Sequence, residues 1–169
     1  MSTHTAISYH IVFSTKNRAP VLRRERREDL FCYFWGIIKN RHSDLYRING
    51  VEDHLHILTS LHPTVSLPDF VKEVKTGSAL WIKEKRVFKS FSHWQEGYAA
   101  FTCSRRDIDD LVEYIRTQAE HHRKTTFEEE YRRLLLGGWG RIRRTLPVLS
   151  PLSGPSQGRD VLSGFVSVG

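Results

Sequence analysis

Apolar and polar residues alternate from Ala6 to Thr15, where β-branched and aromatic side chains dominate, so this stretch predicts a strand that Ala19-Pro20 ends. From Arg23 to Arg41 the period changes. Leu30, Phe31, Phe34, Ile37 and Ile38 recur at helical spacing and predict an amphipathic helix. Leu45 to Val51 and His54 to Leu61 predict two strands joined by a tight turn at Glu52-Asp53. Ser66 to Lys85 predicts a second helix, with Ser66 as its cap and Phe70, Val74 and Trp81 on one face. Ser90 to Thr102 predicts a fourth strand region in which Gly97 marks a bulge. Ser104-Arg-Arg-Asp107 matches a helix start, and the helix that follows buries Ile108, Leu111, Val112, Ile115 and Ala119. A short last helix covers Phe127 to Leu136. This order is β-α-β-β-α-β with terminal helices, an α+β ferredoxin-like antiparallel sheet.

Two places in this pattern carry candidate chemistry. In Val51-Glu-Asp-His-Leu-His-Ile-Leu58, alternation turns Leu55 and Ile57 into the core. His54 and His56 then stand together on the other face, close enough to share one metal ion. In Tyr-Ile-Arg-Thr-Gln at 114 to 118, helical geometry places Tyr114 and Gln118 on one face a turn apart. They lie at the edge of the apolar stripe, where packing holds a side chain that still meets solvent. Periodicity shows only that a metal pair and a nucleophile are feasible. A strand histidine pair and a boundary tyrosine without chemistry fit it too.

Composition narrows the partner. Lys and Arg number 26 against 19 Asp and Glu, a formal net charge of +7 and a pI near 9.6. That suits a polyanion such as nucleic acid. Cys32 and Cys103 have no CxxC spacing, which argues against a zinc knuckle or a disulfide framework. The lack of a long apolar run or a signal-like N-terminus leads to the expectation of a cytoplasmic protein. After Leu136 the character changes. Positions 137 to 169 hold seven of the 11 glycines, three of the six prolines and one acidic residue, Asp160. The expected organisation is one domain over 1–136 and a disordered tail over 137–169.

Five stretches, in order, resemble one family over Ile7 to about Leu136. They are Tyr-His-Ile-Val-Phe-Ser-Thr-Lys-Asn-Arg at 9 to 18, Gly-Val-Glu-Asp-His-Leu-His-Ile-Leu at 50 to 58, and Trp-Gln-Glu-Gly-Tyr-Ala-Ala-Phe at 94 to 101. Tyr-Ile-Arg-Thr-Gln-Ala-Glu-His-His at 114 to 122 and Thr-Phe-Glu-Glu-Glu-Tyr at 126 to 131 complete the set. Together they resemble the single-tyrosine HUH transposases of small bacterial insertion sequences, including the REP-associated relatives. The tail beyond 136 departs from that family.

The resemblance implies that the sheet carries helices on one face plus a C-terminal catalytic helix. It implies that His54 and His56 ligate Mg²⁺ or Mn²⁺, that Gln118 is the third ligand, and that Tyr114 is the catalytic tyrosine. The implied reaction cuts and rejoins single-stranded DNA at hairpin-bearing ends through a 5′-phosphotyrosine. It also implies a homodimer whose sites are built in trans. Basic and aromatic side chains that suit single-stranded DNA are Lys16, Arg18, Lys75, Trp81, Lys83, Arg105, Arg116 and Arg123. Asp53 is a candidate to orient His54, or a turn former. His10 is placed near the site, and His121 and His122 at a solvated helix end. Competing readings are a non-catalytic ferredoxin-like nucleic-acid-binding module, a metal-dependent phosphodiesterase with a structural Tyr114, and a domesticated relative acting on host repeats.

Overall fold

The computed structural model describes residues 5–121 and 126–145. Four strands, β1 (Ser8–Ser14), β2 (Leu45–Gly50), β3 (His54–Ser60) and β4 (Ala99–Cys103), form one antiparallel sheet in the order β2-β3-β1-β4. Helices α1 (Arg24–Asn40) and α2 (Leu67–Lys85) form the crossovers. Three further helices follow β4: α3 (Ile108–Arg116), α4 (Gln118–His121) and α5 (Phe127–Thr145). The ferredoxin-like α+β expectation holds.

Alternation along the two central strands divides the side chains between two cores. On one face Ile11 and Phe13 of β1 and Leu55 and Ile57 of β3 meet Leu30, Phe34, Phe70 and Val74 of α1 and α2. On the other face Val12, Leu58, Ala99 and Cys103 meet Leu111, Tyr114 and Ile115 of α3 and Leu134 of α5. Register then fixes the site's neighbours, since His54 opposes Ser14, His56 opposes Val12, and Asn49 opposes His56.

The turn between β2 and β3 is set by close packing. A Cβ on Gly50 would collide with the His54 carbonyl oxygen and the Leu55 side chain, so only glycine lets the chain reverse here. Buried Arg27 of α1 secures the same turn, donating to the Gly50 carbonyl at 2.5 Å and to Glu52 at 2.8 Å.

Several boundaries differ from the sequence expectation. Ser66 does cap α2, accepting from the Asp69 amide. The fourth strand begins only at Ala99, because Phe91 and Trp94 both turn into the core and Gly97 takes a left-handed φ of 75°. Lys75 holds that irregular segment by donating to the carbonyls of Gln95 (2.6 Å) and Gly97 (2.7 Å). Ser104 bonds the Asp107 carboxylate at 2.6 Å and precedes a 3₁₀ turn, so α3 begins at Ile108. The expected continuous helix through Gln118 is interrupted at Thr117, which leaves helical geometry (φ −94°, ψ 15°) and whose hydroxyl joins its own N–H in donating to the Glu113 carbonyl, at 2.9 Å.

At the other end, α5 continues to Thr145 instead of stopping at Leu136. Each glycine among Gly137, Gly138 and Gly140 costs about 1 kcal/mol in a helix. The turns before them are already nucleated, so the helix propagates through them. The part of the expected tail over 137–145 is therefore helical. Positions 146–169 lie outside the described residues, as do Arg123 and His122. Among the described residues no helix is long and apolar enough to cross a membrane.

Candidate active site

β3 delivers both histidines to the face covered by α3 and α5. His54 and His56 are fully buried, with ring centroids 5.1 Å apart. Each is held through its second nitrogen. His54 Nδ1 lies 2.7 Å from Asp53 Oδ1, and Asp53 in turn accepts from Arg18 Nε and Nη2 at 3.2 and 3.1 Å. Burial works against the Asp53 charge, but the hydrogen bonds and charges of His54 and Arg18 prevail and hold its carboxyl below the usual range. A charged carboxylate there fixes the proton of His54 on Nδ1 and leaves Nε2 as a lone-pair donor.

His56 Nδ1 lies 2.9 Å from His10 Nε2, and the two rings stack at 5.2 Å. Burial lowers the His10 pKa to about 4, with the charge of Glu130 working the other way. His10 is thus neutral near pH 7 and can accept from His56, which leaves His56 Nε2 to serve as a ligand.

The Nε2 atoms of both histidines face one carboxylate that the sequence reading did not single out, Glu130 of α5. His54 Nε2 is 3.9 Å from Glu130 Oε2, and His56 Nε2 is 3.7 Å from Glu130 Oε1. Tyr114 donates its hydroxyl to Glu130 Oε1, and Gln118 Nε2 donates to the same oxygen at 3.1 Å. The expected pairing of Tyr114 with Gln118 therefore holds despite the break at Thr117. Their expected exposure does not. Tyr114 is 5% exposed and Gln118 0%, because α5 lies over them, with Phe127 against His54 at 4.5 Å and Leu134 buried below. Burial, followed by the charge and hydrogen bond of Glu130, raises the Tyr114 pKa well above its ordinary value. A signal for Glu130 was present. Phe127, Tyr131 and Leu134 set the apolar face of α5, and Glu130 is the acidic residue that falls on it.

His54, His56 and Glu130 each place a donor atom within 4.8 Å of the others, a two-nitrogen, one-carboxylate set that fits a divalent metal ion. A second observation agrees. Gln118 Oε1 is buried with no hydrogen-bond partner among the described residues, a cost of about 1–3 kcal/mol that a nearby cation relieves.

In this single chain the two histidines, Tyr114, Gln118 and Glu130 come together, and the expected homodimer with trans sites stays a proposal. β2 makes the docking of α3 specific. Asn49 Nδ2 donates to the carbonyls of Ile115 (2.9 Å) and Arg116 (3.0 Å), the last turn of the helix bearing Tyr114.

The proposed DNA contacts separate into groups. Lys83 and Arg105 are exposed, and Lys16 is half-buried beside the site's turn. Arg18 is paired with Asp53 and stacked on Phe127 at 4.6 Å, so it is built into the support of His54. Lys75 is committed to the 95–97 carbonyls, Trp81 stacks on Tyr33 at 4.8 Å, and Arg116 is bound by Glu113 at 2.5 Å.

Comparison with known proteins bears on the family and the fold. A family model described as "Transposase IS200 like" matches residues 3–118. The chain is 26% identical over 122 residues to the ISDra2 transposase TnpA of Deinococcus radiodurans, covering 66% of this chain and 84% of that one. It is 25% identical over 117 residues to the transposase for insertion sequence element IS200 of Salmonella typhimurium, covering 66% and 76%. A crystallised Deinococcus radiodurans protein described as a transposase superposes with a TM-score of 0.52 at 26% identity, over 70% of this chain and 95% of that one. A REP-associated tyrosine transposase bound to a REP hairpin shares the fold, with a TM-score of 0.52 at 15% identity over 96% and 100%. With more than half of its length matched by that family model, the chain belongs to the IS200-like transposase family.

Proposed function

We propose that this transposase cuts and rejoins single-stranded DNA at hairpin-bearing ends, with Tyr114 as nucleophile and a divalent ion, Mg²⁺ or Mn²⁺, on His54 and His56. The observation that carries the reading is the convergence of the Tyr114 hydroxyl and both imidazole Nε2 atoms on one buried carboxylate. A phosphodiester placed there meets a nucleophile and a charge-stabilising centre together. The bound ion supplies Lewis-acid charge to the phosphoryl oxygens.

The chain's own residues do the rest. Tyr114 Oη forms the bond to phosphorus as the bond from phosphorus to the 3′ oxygen breaks. The tyrosine proton is given up, and the 3′ oxygen leaves as a hydroxyl on gaining one. The product is a 5′-phosphotyrosine, whose bond energy lets a 3′-hydroxyl reverse the step without ATP. Asp53, ordered by Arg18, and His10 keep the two imidazoles in ligand-competent tautomers. Gln118 contributes its amide, as the resemblance implies for the ligand set. Lys16, Lys83 and Arg105, exposed or half-buried, are the basic side chains proposed to meet the DNA backbone. A homodimer would bring two such sites to the two ends that transposition joins.

The test is incubation of the full chain with hairpin-containing single-stranded oligonucleotides and Mn²⁺ or Mg²⁺, followed by a denaturing gel. A protein–DNA adduct that needs both metal and hairpin is expected. Metal-dependent cleavage without an adduct would favour a phosphodiesterase, and binding without cleavage a non-catalytic module.

A further inference from the structure

Resting on that reading, we infer that Glu130 is a catalytic residue in its own right. It is the charged protein ligand of the metal, and it also positions the Tyr114 hydroxyl. Three observations carry this. Glu130 is 5% exposed, so its carboxylate sits inside the site, where electrostatic contacts are strong. Its two oxygens divide between the histidines, Oε2 toward His54 Nε2 at 3.9 Å and Oε1 toward His56 Nε2 at 3.7 Å. Oε1 also receives the Tyr114 hydroxyl and the Gln118 amide. No other carboxylate among the described residues joins the two histidines in a group able to hold a metal.

Charge decides between the two oxygen donors. A carboxylate attracts a divalent cation more strongly than a neutral amide oxygen does. Gln118 spends its N–H on Glu130 and so holds the carboxylate in place, while its Oε1 stays the weaker, neutral donor of the two. The contact of Glu130 Oε1 with the Tyr114 hydroxyl aims that oxygen at the point the two histidines face. The assignment also extends the site beyond the family match, which ends at 118, onto α5. Metal binding and the docking of α5 are then linked, because one of the ligands comes from that helix.

The experiment measures Mn²⁺ binding by calorimetry, together with the Mn²⁺-dependent rise in melting temperature, without DNA. Glu130→Gln keeps the side-chain shape and an oxygen able to accept from Tyr114 while removing the charge, so the fold is retained. The expectation is a loss of Mn²⁺ affinity of about 100-fold for Glu130→Gln and Glu130→Ala, and about tenfold for Gln118→Ala. The Mn²⁺-dependent thermal shift should vanish in both Glu130 variants, while the metal-free melting of Glu130→Gln stays near or above that of the wild type and that of Glu130→Ala falls, since Tyr114 and Gln118 lose their acceptor. Glu130→Gln binding Mn²⁺ like the wild type would overturn the inference, as would Gln118→Ala costing more than Glu130→Gln. The wider reading fails separately, through absence of the Tyr114 adduct on hairpin DNA.

Discussion

Replacing Asn49 with alanine tests whether the tyrosine helix is docked by specific contacts or only by its apolar face. Asn49 offers one amide group to two carbonyls at the end of α3, Ile115 at 2.9 Å and Arg116 at 3.0 Å. A typical net hydrogen bond contributes about 1 kcal/mol. The Arg116 carbonyl lies in an exposed setting where water replaces the lost donor, so it counts for about half. The sum is about 1.5 kcal/mol. For a chain of this length that lowers the melting temperature by about 3–6 °C. Where the loss falls wholly on docking, the cleavage rate at saturating DNA falls by up to about tenfold. Affinity for the hairpin should change less, because Asn49 touches no proposed DNA contact apart from the Arg116 backbone. Asn49→Asp has nearly the same shape but sets a carboxylate against two carbonyl oxygens, so it should be worse than alanine. Differential scanning fluorimetry and single-turnover cleavage measure both quantities. An Asn49→Asp protein that melts and cleaves like the wild type would refute the reasoning.

Other perturbations read different parts of the site. His54→Ala and His56→Ala should each abolish metal-dependent cleavage, and EDTA should do the same to the wild type; full activity in both variants would remove the metal from the account. Asp53 has a folded-state pKa below its unfolded value, so its pairing stabilises the fold above about pH 4 and is lost as pH falls through the folded pKa. Urea titrations of wild type and Asp53→Asn should therefore differ at pH 7 and converge toward pH 3, and a gap that widens in acid would contradict the pairing. With the site brought together in a single chain, a mixture of Tyr114→Phe with a His54→Ala, His56→Ala double variant should stay inactive. Recovery of cleavage in that mixture would demonstrate a trans site.

What the sequence made legible follows from periodicity. Strict alternation around His54 and His56 fixed their common face, and one register then placed both at a helix-covered surface. The phase of Tyr114 and Gln118 survived the break at Thr117 because α4 resumes at the very next residue. Burial of the pair was not legible, since it depends on α5 crossing over them, a tertiary contact with no trace in local pattern. The signal for Glu130 was weak for a related reason. It is one of three consecutive glutamates, set apart from Glu128 and Glu129 by its helical phase with Phe127, Tyr131 and Leu134, the residues that pack against the sheet. Arg18 and Lys75 read as DNA contacts because basic residues favour phosphates, whereas partners 35 and 20 residues away in the same chain had already claimed them. The helical extent of α5 past Gly137 was missed because composition weighs glycine without regard to the helix already begun before it.

The central claim, that Tyr114 becomes bonded to the 5′ phosphate of cleaved single-stranded DNA, is tested most directly by mass spectrometry of the trapped adduct. A hairpin oligonucleotide labelled separately on each side of the cut is incubated with the protein and Mn²⁺, and the protein is digested. The account predicts one nucleotide-bearing peptide, modified at Tyr114 and linked through a 5′ phosphate. The other fragment is released with a free 3′-hydroxyl, and Tyr114→Phe yields neither product. Modification at another residue, linkage through a 3′ phosphate, or cleavage by Tyr114→Phe at the wild-type rate would contradict it.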